Sequence, residues 1–271
     1  MFGKFFSYTA VILGLIINIG WQAPETASRP DTIAPKYAVC AQPPANAESC
    51  TAQEAQILAS VVRIVLHAIF QMGQQTDFHG NVGYATVMAG RYLVTHNHFS
   101  VDLLALSPTN TQGLTGFSLY NAAGERIVRN APVGTFQVSA QDSQTVVLDF
   151  GPGYFDNLNL SSASFTAVKA GTLSVGTEVA QLDWDGERAY VVWTTVTQVA
   201  NYQDLPYLEL DHYAIVGASG GGVFWQGHHI ANNWTHVTVT DSDSGRFIRA
   251  YSLAALNSQN LLTFEGYEAR V

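Results

Sequence analysis

The sequence predicts an all-β protein, and two observations carry that prediction. From about residue 78 onward, short runs of β-branched and aromatic residues alternate with turn signals, which is typical of a β-barrel or β-sandwich. The chain has 271 residues, of which 47% are hydrophobic, 12% are charged and 23 are glycine. That composition is typical of a compact protein with a sizeable core and many tight turns. The predicted strands are Gly83–Met88, Tyr92–Thr95, Gly116–Tyr120, Thr145–Phe150, Glu178–Leu182, Ala189–Val199, Tyr213–Val216, Gly222–Trp225 and Val237–Thr240, with a hairpin turn at Asn121–Gly124.

The N-terminus has the pattern of an export signal. Lys4 precedes a mostly apolar run over residues 5–20, which is shorter than the ~20 residues that span a bilayer comfortably. Residues 1–28 are therefore predicted to be a signal peptide or, if uncleaved, a membrane anchor through residues 5–20. The protein is expected to be secreted or extracytoplasmic. Two cysteines, Cys40 and Cys50, form no framework, and the sequence leaves their pairing open.

Residues 29–77 are predicted to be a linker followed by an amphipathic helix packed on the main domain. Five prolines lie between residues 21 and 50, and no apolar periodicity accompanies them. Thr51 and Glu54 have the spacing of a helical capping box. The helix is predicted to extend up to Gly73, because apolar residues recur at helical spacing at Leu58, Val61, Val62, Val65 and Ile69.

The net charge limits the partners that we expect. Its formal value is −9, whereas proteins that bind nucleic acid carry basic surfaces that neutralise phosphates. No nucleic-acid partner is therefore expected.

A glycine-rich segment, Gly-Ala-Ser-Gly-Gly-Gly-Val-Phe, spans residues 217–224. Around Ser219 such a backbone can turn tightly and aim successive N–H groups at one point. An anion-binding point of that kind stabilises the oxyanion of acyl transfer. A flexible turn with an incidental serine is the plain alternative.

A second polar motif ends an apolar strand at Thr95-His96-Asn97-His98. A serine hydroxyl is a poor nucleophile until a positioned base takes its proton, and histidine has the pKa for that task. A buried or surface histidine with no catalytic role is the alternative.

Together these two motifs resemble those of the trypsin-like (chymotrypsin-family) serine proteases. In the resemblance, Ser219 matches the nucleophile and His98 the base, with His96 as a neighbour. The resemblance covers residues 78–271 and implies two antiparallel six-stranded β-barrels, at about 78–165 and 166–271. The order histidine, aspartate, serine along the chain is that family's order.

The resemblance also implies an aspartate that orients the base, placed between the two motifs. Asp142 is expected in that role because it precedes an apolar strand, and Asp149 at the end of that strand is the alternative. The backbone N–H groups of Gly217 and Ser219 are expected to form the oxyanion hole. No metal or other cofactor is implied.

The substrate pocket of the family would fall on Tyr213, Trp234 and Thr235. Tyr213 carries no negative charge, so the resemblance implies no preference for lysine or arginine. Ala218 stands where many members have an aspartate that pairs with a newly cut N-terminus. The oxyanion turn is therefore expected to form without that salt bridge.

The prediction is an exported serine endopeptidase that acts on peptides or proteins. A metallo-hydrolase is the rival enzyme, because Thr-His-Asn-His resembles the opening of metallo-β-lactamase-like motifs. Ser100 and Val101 occupy the positions of that motif's further Asp-His pair, and His228 and His229 should point to opposite faces of a strand. A non-catalytic, exported β-rich binding protein on a degenerate protease fold is the other alternative. Substrate and oligomeric state are left open.

Overall fold

Fifteen β-strands and one α-helix make up the described part of the chain. The computed structural model describes residues 37–38, 50–72, 75–97, 113–142, 144–165, 173–202, 205–242 and 244–257. The elements are β1 (Tyr37–Ala38), α1 (Ala52–Ala59), β2 (Val61–Met72), β3 (Gln75–Met88), β4 (Tyr92–His96), β5 (Gly113–Asn121), β6 (Arg126–Ala131), β7 (Gln137–Gln141), β8 (Thr145–Asp149), β9 (Ser164–Phe165), β10 (Glu178–Trp184), β11 (Ala189–Tyr202), β12 (Leu205–Leu210), β13 (Gly222–Trp225), β14 (His228–Thr240) and β15 (Phe247–Leu256).

Helix α1 has the capping box that its sequence predicts. The Thr51 side chain accepts the Glu54 N–H at 3.2 Å, and the Glu54 carboxylate accepts the Thr51 N–H at 2.9 Å. The Glu54 carboxylate also accepts the indole N–H of Trp193 at 2.7 Å. Helix α1 is thereby anchored to strand β11.

The predicted helix up to Gly73 is wrong beyond Ala59, because residues 61–72 form strand β2. Buried Val62, Ile64 and Leu66 alternate with partly exposed neighbours, which is the period of a strand. The apolar residues at positions 58, 61, 62 and 65 also fit a helical spacing. This segment nevertheless forms a strand, because its β-branched residues favour extended backbone and pack between two partner strands. The first sheet thus begins upstream of residue 78.

The first sheet is antiparallel, with strands in the order β6-β5-β2-β3-β4-β8-β7. It curls around one core, because the ring of Phe117 on β5 contacts that of Phe150, just after β8, at 5.5 Å between centroids. Phe136 contacts both rings, at 5.4 and 5.2 Å. Strands that are far apart in the order therefore share one interior.

The second sheet closes on itself. Its strands pair in the order β11-β10-β13-β14-β15-β12, and β12 pairs again with β11, which completes a six-stranded antiparallel barrel. Strands β1 and β9 add to it from outside that ring. The predicted all-β fold with antiparallel barrel architecture is confirmed.

Most strands lie where the sequence predicts them, with two kinds of exception. The predicted strand Tyr213–Val216 is wrong: these residues have no strand pairing and lead into the turn at Gly217. In the described part of the chain, the strands that the sequence analysis missed are β1, β2, β6, β7, β9, β12 and β15.

The predictions for the N-terminal segment concern residues that the structure describes only in part. Residues 1–28 and Cys40 lie outside them, while Cys50 is disulfide-bonded. In the part of the chain that the structure describes, no helix has the length and apolar character needed to cross a bilayer.

Candidate active site

Ser219 lies in a tight turn that leads into β13. The Ala218 N–H donates to the Ile215 carbonyl at 3.1 Å, and the Gly221 N–H donates to the Ala218 carbonyl at 3.0 Å. Gly217 and Gly220 flank the serine with φ values of +100° and +80°, a backbone region that favours glycine. The glycines that the sequence analysis singled out therefore make this turn possible.

Two N–H groups of the turn remain available for a ligand. Among the described residues, the N–H groups of Gly217 and Ser219 donate to no other group. The Ser219 hydroxyl likewise has no hydrogen-bond partner within those residues. A serine hydroxyl flanked by two free donors is the arrangement that stabilises a tetrahedral oxyanion in acyl transfer.

Buried Asn233 on β14 holds the turn from the second barrel. Its backbone carbonyl accepts the Gly220 N–H at 2.7 Å, and its N–H donates to the Gly221 carbonyl at 2.8 Å. Its side-chain amide donates to the Leu182 carbonyl at 2.7 Å and accepts the Gln181 amide at 2.8 Å. Removing any of these partners would leave a buried polar group unpaired, which costs about 1–3 kcal/mol.

The same turn lies directly against the first sheet. The Ser219 carbonyl accepts the Tyr84 N–H at 2.8 Å. A Cβ added to Gly220 would stand 2.2 Å from the Tyr84 carbonyl oxygen, 2.3 Å from Thr95 Oγ1 and 2.7 Å from His96 Cδ2. The glycine-rich motif and the end of strand β4, far apart in sequence, therefore meet across the two sheets.

His98, the predicted base, lies outside the described residues. Strand β4 ends at His96, and the next residue, Asn97, donates its N–H to the Gln144 carbonyl at 2.6 Å.

Asp142 lies beside the end of β4. Its side chain accepts the N–H groups of Gln144 and Thr145 at 2.8 and 2.7 Å, which forms a short turn before β8. Its backbone carbonyl accepts the side-chain amide of Asn97. The sequence candidate for the acid is thus hydrogen-bonded to the residue that precedes His98.

Asp149, the alternative acid, lies at the other end of β8. In the β4–β8 pairing, Tyr92 faces Asp149 while His96 faces Thr145, so four residues or about 13 Å of strand separate the two ends. Arg91 binds the Asp149 carboxylate through two hydrogen bonds of 2.6 Å. Those bonds from Arg91 lower the pKa of Asp149, and a hydrogen bond from the Gly151 N–H contributes. Its surroundings are those of a structural ion pair.

A cavity of about 110 Å³ opens beside Ser219. Ala214 to Ala218 form one wall, Asn233 to His236 form the other, and Ser252 lies between them. Trp234 and Thr235, two predicted pocket residues, belong to that lining. Tyr213, the third, does not line it: its ring packs on His236 at 4.6 Å between centroids. Among the described residues, no carboxylate belongs to the lining, and burial lowers the pKa of His236.

His228 and His229, which the metallo-hydrolase alternative could use as ligands, face opposite sides of strand β14. His228 is exposed, while His229 is buried and contacts Asn232 at 3.1 Å. Burial lowers the pKa of His229 to about 3, so the ring is neutral and its role is in the core. No cluster of three His, Cys, Asp or Glu side chains suited to a metal occurs within the described ranges.

Comparison with known proteins yields structural similarity only. No protein-family model matches the chain, and no curated protein matches it in sequence. An HtrA-type protease, AlgW, with a serine-to-alanine substitution and solved with a decapeptide, has 15% sequence identity and a TM-score of 0.52. The chain has the trypsin-like fold. That match covers 78% of this chain, which spans 65% of the length of the AlgW chain.

Another protease is similar to the chain at lower scores. The Rv3671c protease from M. tuberculosis, in its active form, has 13% identity and a TM-score of 0.47, over 76% of this chain and 79% of that one. The likeness to the AlgW protein, at 15% identity, shows the fold and not the reaction.

Four residues that hold the turn escaped the sequence analysis: Tyr84, Asp183, Trp184 and Asn233. Each acts on Ser219 or its neighbours through contacts across large sequence separations. Only Asp183 and Trp184 have a local signal that could have indicated them: a charged residue at the end of an apolar strand, as in Leu182-Asp183-Trp184.

Proposed function

We propose that this protein is an exported serine endopeptidase that hydrolyses peptide bonds through an acyl-enzyme. Ser219 is the nucleophile, His98 the base, and Asp142 the acid that orients the base. The N–H groups of Gly217 and Ser219 bind the oxyanion, and the cavity beside Ser219 receives a side chain of a peptide substrate. The decapeptide bound by the AlgW protein supports a peptide as the substrate class.

The reaction follows from these roles. The Ser219 oxygen attacks the peptide carbonyl while His98 takes its proton, and the carbonyl oxygen becomes an anion between the two N–H groups. His98 then gives the proton to the leaving amine, and the acyl group stays on Ser219. A water molecule, deprotonated by His98, then attacks the acyl carbon, and His98 returns the proton to the Ser219 oxygen as the acid leaves.

One observation carries the proposal: the Ser219 turn meets the end of β4. Gly220 is in contact distance of Thr95 and His96, and both turn N–H groups are free within the described residues. Both donors lie in the same turn as the Ser219 hydroxyl and are separated by one residue, Ala218, which fits an oxyanion site.

Export is the part of the proposal that rests on the sequence. A basic residue and the apolar run over residues 5–20 support a signal peptide or an uncleaved anchor. The disulfide-bonded state of Cys50 supports an oxidising compartment.

A fluorophosphonate probe tests the proposal. The folded protein should be labelled at Ser219, as located by mass spectrometry, and Ser219→Ala should abolish labelling. His98→Ala should lower labelling and peptide hydrolysis by about 10⁶-fold, since the residues of a triad act as a unit. A folded protein that never reacts would instead indicate a binding protein, and loss of hydrolysis on adding a chelator would indicate a metallo-hydrolase.

A further inference from the structure

Asp183, at the end of β10, is a buried carboxylate for which the proposed reaction has no use. Its side chain is only 1% exposed. One carboxylate oxygen accepts the N–H groups of Trp184 and Ile215 at 2.8 and 3.2 Å. The other accepts the Tyr190 hydroxyl at 3.1 Å and lies 2.7 Å from Nε2 of His212. A buried charge is tolerated only with such a set of donors, so this site is built to hold its neighbours in place.

Trp184, the next residue, holds the same turn by a second route. Its indole N–H donates to the Val216 carbonyl at 3.0 Å. Its ring lies so close to Gly217 that an added Cβ would stand 2.5 Å from the ring. The ring is backed from the first sheet by Tyr84, at 6.1 Å between centroids, and by the guanidinium of Arg63, at 5.6 Å.

These contacts bear on the peptide that supplies one oxyanion donor. In a trans peptide the C=O and the N–H point in opposite directions. The Val216 carbonyl and the Gly217 N–H belong to the same peptide group. When Trp184 fixes the carbonyl on its own side, the Gly217 N–H is turned to the other side, away from the indole.

The buried carboxylate fixes the residue before that peptide. Asp183 holds the Ile215 N–H directly and contacts His212, which begins the segment. Two adjacent residues of β10 thus contact the turn at Ile215, Val216 and Gly217. Ala218 carries no carboxylate, so position 218 gives the turn no acidic group of its own. Asp183 supplies a carboxylate to the turn from strand β10.

We propose that Asp183 and Trp184 are positioning residues that keep the Val216–Gly217 peptide oriented for oxyanion binding in the intact chain. The proposal rests on the function proposed above and extends it: activity requires no cleavage that would create a new N-terminal ammonium. The anchor of the turn is internal to the second barrel.

Trp184→Phe is the sharpest test, because phenylalanine keeps an aromatic ring against Gly217 and removes the indole N–H. We expect kcat to fall at least about 10-fold, less than the ~10²–10³-fold loss of a whole oxyanion donor. The affinity of a peptide aldehyde, whose adduct with Ser219 carries the oxyanion, should fall by the same factor. KM and the affinity of an uncleaved peptide for the Ser219→Ala background should stay unchanged, because ground-state binding does not use the oxyanion donors.

Trp193→Phe is the matched control. It also removes an indole hydrogen bond, but that bond goes to Glu54 of helix α1 and not to the serine turn. It should leave kcat and aldehyde affinity at their wild-type values, whatever it does to the melting temperature.

Asp183→Asn gives a second variant that keeps the shape and removes the charge. It should lower kcat by more than Trp184→Phe does, while Asp185→Asn, an exposed aspartate paired with Arg188, should leave kcat unchanged. If Asp183→Asn does not fold, Trp184→Phe still decides the proposal.

The outcomes separate this inference from the proposed function. If the wild-type protein does not react at Ser219, the proposed function fails and this inference falls with it. If the wild-type protein reacts but Trp184→Phe keeps its kcat, the inference alone is overturned. Equal losses in kcat and in affinity for the uncleaved peptide would show a merely structural effect and also overturn it, as would activity that arises only after N-terminal cleavage.

Discussion

The second barrel and the first sheet contribute to the candidate site in different ways. The serine turn is held in the second barrel by buried groups on two strands, Asn233 on β14 and Asp183 on β10. Asp142, in the first sheet, lies in a short turn held by its own neighbours. The core of one barrel therefore positions the proposed oxyanion donors, while local turn geometry positions the proposed acid. We therefore expect mutations in the first sheet and in the second barrel to have different effects.

The largest effect should come from the acid of the first sheet. Asp142→Asn should lower kcat by about 10⁴-fold, because the amide favours the wrong tautomer of the base while leaving the geometry intact. Steady-state hydrolysis of a peptide substrate measures it. Asp149→Asn, at the far end of β8 from Asp142, is the matched control and should leave kcat within about twofold. Reversed results would assign the acid to Asp149.

The next largest effect should come from a mutation at the contact between the serine turn and the first sheet. Gly220→Ala adds a Cβ at 2.2 Å from the Tyr84 carbonyl oxygen and at a φ of +80°. We expect the free energy of unfolding to fall by about 3 kcal/mol, from backbone strain and overpacking together. Gly227→Ala, at a φ of +83° with nothing within 4 Å, isolates the strain and should cost only about 1 kcal/mol. Denaturant unfolding compares the two, and equal losses would rule out the contact as the cause.

The cavity of the second barrel should select short, uncharged side chains. At about 110 Å³ it is smaller than the ~150 Å³ cavity that accommodates benzene, and none of the described residues that line it is a carboxylate. Peptides that differ only in the residue before the cleaved bond should show kcat/KM about 10–100-fold higher for valine than for phenylalanine or lysine. A preference for lysine would contradict this assignment of the pocket.

The smallest effect should come from breaking the Arg91–Asp149 ion pair at the far end of the first sheet. Arg91 lowers the pKa of Asp149, so the pair stabilises the fold above the unfolded-state pKa of that carboxyl, and the stabilisation is lost as the pH falls through its lower, folded-state pKa. Asp149→Asn should cost about 0.5–1 kcal/mol at neutral pH. The difference from wild type should shrink below about pH 4 in urea unfolding curves. A difference that persists in acid would require another cause.

Sequence reasoning reached the parts of this molecule whose signals are local. The turn around Ser219 needs glycine at positive φ, and the capping box at Thr51 needs two residues three apart, so both can be predicted from neighbours in the chain. Strand β2 could not, because its apolar residues fit a helix and a strand equally and the choice comes from pairing with β3 and β5.

Long-range contacts account for the rest. Asp183 and Trp184 meet the serine turn from more than thirty residues away, and no spacing rule connects the two segments. The resemblance predicts Tyr213 in the pocket, whereas the chain turns at this segment and the Tyr213 ring packs on His236. The triad assignments themselves stay predictions until the proposed variants are measured.

The position of β2 has a practical consequence for anyone who expresses this protein in shortened form. A clone that starts at residue 78, where the resemblance begins, would omit the strand that lies between β3 and β5, and the remaining strands would face an unpaired gap. A clone that starts just before Cys50 would retain that strand, the helix before it and the Glu54–Trp193 bond to the other barrel. It would, however, lose strand β1, which pairs with β11, and the disulfide of Cys50, so the shortest stable fragment should begin before Tyr37.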